Sequence, residues 1–136
     1  MIRPVLLAIP IVLLFVPARA DVITDADCTK PQHAQMIINH CLGLEFKAAD
    51  EKLSAVYERF LAAIDSADSR KRFEAAETVW LQWRDAQCAF EAGRHGGSRA
   101  SMAHSLCAIR LTEQRTKELQ AYLACFKDAD KCGAPQ

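Results

Sequence analysis

The chain has 136 residues, no net formal charge and six cysteines, which is the size of one small domain. A nucleic-acid-binding domain would carry a basic excess, whereas residues 21–136 contain two more acidic than basic residues. Nucleic acid is therefore not an expected partner.

The N-terminal segment, residues 1–20, is typical of a cleavable signal peptide. A short basic start precedes an apolar run over residues 5–16, and residues 18–20 (Ala-Arg-Ala) fit the small-x-small pattern of a cleavage site. The run is shorter than the roughly 20 apolar residues that a membrane-spanning helix needs. We therefore expect a periplasmic or secreted protein, with residues 21–136 as its single domain and no membrane attachment after cleavage.

The remainder of the chain has the composition and periodicity of an all-α protein. Alanine is frequent, glycine and proline are sparse, and apolar residues recur at steps of three and four, which favours amphipathic helices. We predict helices near residues 31–64, 69–92 and 100–126. Short connections between them predict an antiparallel helical hairpin or three-helix bundle, stapled by disulfides.

Candidate capping residues precede each predicted helix. Pro31 suits the first turn of the first helix, and the stretch 65–69 offers several N-cap residues for the second. The composition of residues 93–98 predicts a loop. Ser98 or Ser101 is then expected to cap the third helix.

Three aromatic residues, Trp80, Trp83 and Phe90, lie at helical spacing in the second segment. Such a group could form a carbohydrate-binding platform. Aromatic residues at this spacing usually belong to the core, and we expect these three to be buried there.

All six cysteines follow the predicted signal peptide, and an even number in a small exported domain indicates disulfides. The absence of a Cys-x-x-Cys motif from the sequence argues against a thiol oxidoreductase. In an up-down-up bundle the first four cysteines lie at one end, which makes local pairing the simplest arrangement, although Cys41–Cys88 fits the same geometry. The expected local pairs are Cys28–Cys41, Cys88–Cys107 and Cys125–Cys132.

Several motifs follow one another in a specific order along most of the predicted domain. They are Cys28 and Cys41 with twelve residues between them, Phe46-Lys47-Ala48-Ala49-Asp50-x-x-Leu53-x-x-x-Tyr57, Trp80-x-x-x-Arg84-Asp85-x-x-Cys88, Gly96-Gly97-Ser98, Cys107, and Leu111-Thr112-x-x-Arg115-x-x-x-Leu119. In this combination the chain resembles the LprI-type lysozyme-inhibitor family. The resemblance implies a small exported helical domain with disulfides and a protein partner, a lysozyme.

The glycine-containing loop at residues 93–99 is the candidate partner-binding site. Glycine leaves backbone N–H groups accessible, and the arginine, histidine and serine side chains add donors and positive charge. A lysozyme cleft is built around two carboxylates, with which a projecting donor-rich loop can pair. The candidate partner-binding residues are Arg94, His95, Gly96, Gly97, Ser98 and Arg99. The alternative is that Gly-Gly-Ser forms only a tight turn and helix cap.

Arg84 is expected to be partly buried and therefore to need a carboxylate partner. Asp50, Asp85 or Glu113 is expected to supply it, and Arg115 to join the same structural ion-pair network. A catalytic site would need a paired acid and base in a pocket, and no spacing requires one. We therefore predict no catalytic residues.

The four histidines, His33, His40, His95 and His104, could approach one another at one end of the predicted bundle. Scattered surface histidines are the simpler interpretation, because no metal-ligand spacing joins them. We therefore expect neither a metal nor another cofactor.

These observations predict an exported protein without enzymatic activity that binds lysozyme-type glycoside hydrolases and inhibits them by occluding the active-site cleft. The first alternative is a periplasmic structural or envelope-stress interaction module with no lysozyme target. The second is a metal-binding envelope protein, which depends on the histidines alone.

Overall fold

A computed structural model describes residues 23–29 and 34–128. Over these residues the protein is all-α, as predicted, with a short 3₁₀ helix at Asp25–Thr29 followed by three long helices. The long helices are α1 (Gln35–Ala63), α2 (Ala67–Ala92) and α3 (Ser98–Lys127). The predicted signal peptide and the chain after Asp128 lie outside the described residues.

The bounds of α2 and α3 lie within two residues of the sequence prediction, and the largest difference is at the start of α1. Ser66 caps α2 by accepting a hydrogen bond from the backbone N–H of Ser69. α1 begins at Gln35 rather than at residue 31, and Pro31 lies outside the described residues. The prediction that Ser98 or Ser101 caps α3 is wrong: the N-cap is Gly97, and no side chain caps this end.

The core lies where α3 packs against both α1 and α2. A larger cluster joins the second half of α1 to the end of α3, and a smaller one surrounds the end of α2 and the start of α3. The larger cluster contains Leu53, Val56, Phe60, Ile64, Leu119 and Leu123. The smaller cluster contains Cys88, Cys107, Ala108 and Leu111. The half-buried ring of Trp80 packs against both clusters and so connects them.

Two disulfides join cysteines that both lie in the described residues, Cys28–Cys41 and Cys88–Cys107, and both are among the predicted local pairs. The alternative pairing of Cys41 with Cys88 is therefore wrong. Cys125 is disulfide-bonded as well. Its predicted partner Cys132 lies outside the described residues, so that pairing stays a prediction.

The expectation that all three aromatic residues of α2 belong to the core is wrong for two of them. Trp83 is 49% exposed and Phe90 is 69% exposed. At about 100° of rotation per residue, Arg84 and Cys88 lie on one side of Trp80, whereas Trp83 and Phe90 lie on the other. The buried arc of α2 follows the first side, which turns Trp83 and Phe90 towards solvent.

Candidate functional site

The loop between α2 and α3 projects from the end of the molecule that carries the Cys88–Cys107 disulfide. Its first residues continue the helical hydrogen bonding, with the N–H of Gly93 bonded to the Ala89 carbonyl and that of His95 to the Ala92 carbonyl. The side chain of Asn39, near the start of α1, donates to the Ser98 carbonyl oxygen at 3.2 Å. The loop is therefore anchored at both its ends.

All six candidate partner-binding residues, Arg94, His95, Gly96, Gly97, Ser98 and Arg99, are exposed. Beside Arg94 and His95 the surface forms a depression of about 530 Å³, lined also by Gln87, Phe90 and Glu91. The structure thus places the Arg94 and His95 side chains next to the largely exposed ring of Phe90. Sequence reasoning assigned that ring to the core and missed it as part of this surface.

Glu91 is the one carboxylate that lines this depression. The pKa of Glu91 is lowered, chiefly by a hydrogen bond from Gln87; desolvation opposes this effect, and the charges of Arg110 and Arg94 lower the pKa further. Arg110 donates to both Glu91 oxygens. Because Arg110 already pairs with Glu91, the charges of Arg94 and Arg99 leave the loop surface basic.

Gly97 adopts a backbone conformation that requires glycine, with φ at 58° and ψ at −142°. A side chain at this φ is strained even though nothing lies within 4 Å of its Cβ position. Gly96 also has open space around it, and its φ lies outside the left-handed region. The two neighbouring glycines therefore differ in backbone strain alone.

We expect Gly97→Ala to lower the free energy of unfolding by about 1 to 3 kcal/mol, because alanine is strained in this conformation. Gly96→Ala is the matched control and should change stability by less than about 0.5 kcal/mol. Urea unfolding followed by circular dichroism measures both. Equal stabilities of the two variants would contradict the assignment of a special backbone conformation to Gly97.

Arg84 is the centre of a buried polar contact between the three helices. Its side chain is 8% exposed and bonds Asp50 and Asp85, each at 3.0 Å. It also donates to the fully buried hydroxyl of Thr112 at 3.1 Å. Glu113, the third carboxylate considered for this role, is exposed and is not among the hydrogen-bond partners described for Arg84.

Arg115 was expected in the same network but bonds different carboxylates. Its guanidinium donates twice to Glu77 Oε2, at 2.7 and 3.0 Å, and once to Glu118 at 3.0 Å. Burial alone would lower the pKa of Arg115, but the hydrogen bonds and charges of Glu77 and Glu118 outweigh it and raise that pKa. Both guanidinium groups lie close to Trp80, whose ring centroid is 5.5 Å from Arg84 Cζ and 5.6 Å from Arg115 Cζ.

Sequence reasoning missed Glu77, although a signal for it was available. Glu77 precedes Arg84 by seven residues, which places both on one face of α2. A buried arginine therefore indicated that Glu77 would also be buried and would need a partner on another helix.

Three of the four histidines lie in the described part of the chain, and one of them, His104 on α3, is partly buried. His40 lies 3.4 Å from the Asp25 carboxylate, His95 is exposed in the loop, and His33 is outside the described residues. Over residues 23–29 and 34–128, no group of three or more histidine, cysteine, aspartate or glutamate residues is arranged to hold a metal ion. No helix in these ranges is both long and apolar enough to cross a membrane.

Comparison with known protein families matches residues 26–119 to the lysozyme inhibitor LprI family. The chain belongs to the LprI family. A relative of Rhizobium meliloti (strain 1021), described as an uncharacterized protein, is 32% identical over 111 residues, which cover 71% of this chain and 78% of the relative. No solved structure matches.

LprI membership agrees with the motifs of the sequence and has three consequences at the level of the family. LprI is a family of lysozyme inhibitors rather than of enzymes, which implies a protein partner such as a lysozyme. An inhibitor of that kind suggests a location in the periplasm or outside the cell. The matched residues contain the loop, both described disulfides, the buried Arg84 and the partly buried Arg115.

Proposed function

We propose that this protein inhibits a lysozyme-type glycoside hydrolase by inserting the 93–99 loop into the active-site cleft, without enzymatic activity of its own. The observation that carries the proposal is the exposed pair of loop arginines, Arg94 and Arg99, at the projecting end of a member of an inhibitor family. Two carboxylates carry out glycoside hydrolysis in such a cleft. Charge-assisted bonds from arginine to those carboxylates would both hold the loop and block the substrate.

The surface beside the loop supports this proposal. Phe90 and Trp83 are exposed on the face of α2 that leads to the loop, and Phe90 lines the depression beside Arg94. Aromatic residues and arginine are the residue types that contribute most to protein interfaces. The basic tip would complement the two carboxylates of such a cleft, and the exposed rings would add apolar contacts beside it.

Export is part of the same proposal. Residues 1–20 would be removed as a signal peptide, and residues 21–136 would be the single mature domain, periplasmic or secreted. A disulfide-stabilised domain is suited to such an oxidising environment.

The test compares lysozyme inhibition by the disulfide-bonded protein and by an Arg94→Ala/Arg99→Ala variant, in a turbidity assay of cell-wall lysis. We expect the wild-type protein to inhibit, and the variant to have an inhibition constant at least about tenfold higher, as expected for the loss of central interface arginines. Several lysozyme types should be assayed, because the family does not specify one.

The matched control is Arg59→Ala/Lys71→Ala, which removes the same charge from exposed residues at the opposite end of the molecule. Arg59 lies 20 residues along α1 from Asn39, about 30 Å away. The control should inhibit like the wild type. Equal inhibition by the loop variant and the control would exclude the loop as the effector, and no inhibition by wild-type protein in stoichiometric excess would favour an interaction module without a lysozyme target.

A further inference from the structure

The side of α2 that faces away from α3 carries an apolar stripe. Its residues recur at alternating steps of three and four, which is the heptad spacing of a helix that packs along another helix. These residues, the α2 seam, are Ala76, Val79, Trp83, Ala86 and Phe90, and all five are exposed. At about 100° per residue, the seam lies roughly 140° around the helix from the buried arc that contains Arg84 and Cys88. It is therefore a second apolar face of α2, in addition to the one that packs against α3.

The exposed area of the α2 seam is large for a small domain. Val79 is 63% exposed, Trp83 is 49% exposed and Phe90 is 69% exposed. Single exposed apolar residues are ordinary, but apolar residues that adjoin one another on the surface mark an interaction site. Because these residues follow a heptad pattern, the surface that fits them best is another helix.

Charged residues continue the α2 seam at both ends and indicate which helix fits it. Arg72 precedes Ala76 by four residues, and Asp68 precedes Arg72 by four more. At the other end, Arg94 follows Phe90 by four residues. All three charged side chains are exposed, and Asp68 pairs with Arg72 across one helical turn. The seam therefore has an acidic and a basic residue at its start and a basic residue at its end.

We propose that the α2 seam binds the α2 seam of a second copy of this chain, in an antiparallel two-fold dimer. A two-fold interface must be complementary to itself. When the pair is centred between Val79 and Trp83, each Val79 packs on Trp83 of the other copy, and each Ala76 faces Ala86 of the other copy. The large ring thus meets a medium-sized residue and the small residues meet each other, so the two identical surfaces interdigitate.

The charges at the ends of the seam favour this antiparallel register. It places Arg72 opposite the Phe90 ring of the other copy, where a cation is attracted to the aromatic face. It also places Asp68 level with Arg94 of the other copy, and a carboxylate has two oxygens, so Asp68 can bond this arginine and keep Arg72. In a parallel dimer Arg72 would face Arg72 and Asp68 would face Asp68, and such like charges oppose association. A shift by one heptad would separate Asp68 from Arg94.

The area of the α2 seam sets the expected strength of the dimer. With about 150–250 Å² for each aromatic side chain, the exposed fractions of Trp83 and Phe90 contribute roughly 250 Å² per copy. Val79, the alanines and the charged ends add a similar amount, which gives about 1,000 Å² in total, the lower limit for a specific interface. We therefore expect a reversible dimer with a dissociation constant of about 1 to 100 µM.

The dimer would also regulate the loop at residues 93–99. Trp83, Phe90 and Arg94 belong to the surface that is proposed to contact the lysozyme, so one chain cannot make both contacts at once. The monomer would then be the inhibitory form, and dilution would release it from the dimer. This consequence rests on the proposed function, whereas the dimer itself does not.

Analytical ultracentrifugation of the disulfide-bonded protein, at concentrations from about 1 to 500 µM, tests for the dimer. We expect the average mass to rise from that of one chain towards that of two. Val79→Glu brings an unpaired charge into the centre of the paired seams and should raise the dissociation constant at least about tenfold. Met36→Glu is the matched control, because Met36 is similarly exposed, at 67%, but lies at the start of α1. It should dimerise like the wild type.

An exchange of charges tests the orientation of the two copies. Asp68→Arg alone and Arg94→Asp alone each bring like charges together at both ends of the antiparallel pair, and each should weaken the dimer severalfold at low salt. The double variant Asp68→Arg/Arg94→Asp has the net charge of the wild type and restores opposite charges across the interface. It should regain most of the affinity. All the substituted residues are exposed, so folding should be retained, which circular dichroism verifies.

A monomer at all concentrations, or equal dimerisation of Val79→Glu and Met36→Glu, would overturn the proposal. A double charge variant that dimerises no better than either single variant would overturn it as well, because the antiparallel register requires the exchange to be compensated. These measurements contain no lysozyme. A failure of the dimer is thereby distinguished from a failure of the inhibitory loop.

Discussion

Replacing Arg115 with methionine should destabilise the protein by about 3 to 5 kcal/mol, because it leaves a buried carboxylate without its counter-charge. The side chains of Arg115 and Glu77 are 13% and 7% exposed. Methionine approximates the aliphatic part of the arginine side chain but provides no donor. Both hydrogen bonds to Glu77 Oε2 would then be lost, and the other oxygen, Oε1, already has no hydrogen-bond partner. Urea unfolding followed by circular dichroism measures the change.

Two further variants separate a buried charge from a general effect of losing an arginine. Arg110→Met, on the same helix, removes an exposed partner of Glu91 and should cost less than about 1 kcal/mol. Glu77→Leu/Arg115→Met removes both buried charges and should regain most of the lost stability. Equal effects of Arg115→Met and Arg110→Met would show that burial of the Glu77–Arg115 pair does not determine its contribution.

The helices were predictable because their signals are local. These signals are the spacing of apolar residues by three and four, the small number of helix breakers and the polar stretch around Ser66. Each of them acts within one or two helical turns. The disulfides at Cys28–Cys41 and Cys88–Cys107 were also accessible, because each joins residues that are close in the chain and at the same end of the bundle. Signals within short stretches of the sequence were therefore sufficient to predict the helices and these two disulfides.

The face of each helix was predicted less well because it depends on tertiary packing. Trp83 and Phe90 satisfy helical spacing, yet the buried arc of α2 runs through Glu77, Arg84 and Cys88. Burial of two charged residues became possible only because Asp50, Thr112 and Arg115 on other helices provide their partners. Burial of Arg84 was expected from its position one turn after Trp80, whereas Glu77 was missed because a hydrophobicity pattern assigns a lone carboxylate to the solvent-facing side.

The loop at residues 93–99 was recognisable from its composition, since glycine, arginine and serine specify an exposed turn without reference to other elements. A groove between α1 and α2, lined by Asp50, Glu58, Glu74 and Glu77, was not recognisable, because its carboxylates come from two helices and are brought together only by the fold. At Gly97 the glycine was recognised, but its role in place of a serine cap depends on a φ of 58°, which composition does not encode.

Removing the Cys88–Cys107 disulfide by Cys88→Ala/Cys107→Ala should lower the free energy of unfolding by about 3 kcal/mol, the value expected for a closed loop of this length. The sequence separation is 19 residues, so the bridge restricts the unfolded chain considerably. Both cysteines are buried, at 0% and 3% exposure, in the smaller core cluster. Their loss also removes packed sulfur atoms, and the midpoint of thermal unfolding should fall by about 10 to 20 °C.

The Cys28–Cys41 disulfide provides the comparison, because it joins the 3₁₀ helix to α1 outside both core clusters. Its removal by Cys28→Ala/Cys41→Ala should cost less stability, since no buried contacts are lost with it.

The Cys88–Cys107 bridge, in contrast, closes the hairpin whose tip is the proposed inhibitory loop. If the loop is the effector, the Cys88→Ala/Cys107→Ala variant should inhibit lysozyme more weakly than the wild type at temperatures where the variant remains folded. The reason is that an untethered loop loses more conformational entropy on binding. Equal stability losses for the two bridges would contradict the role assigned to burial, and unchanged inhibition would separate the loop's rigidity from its activity.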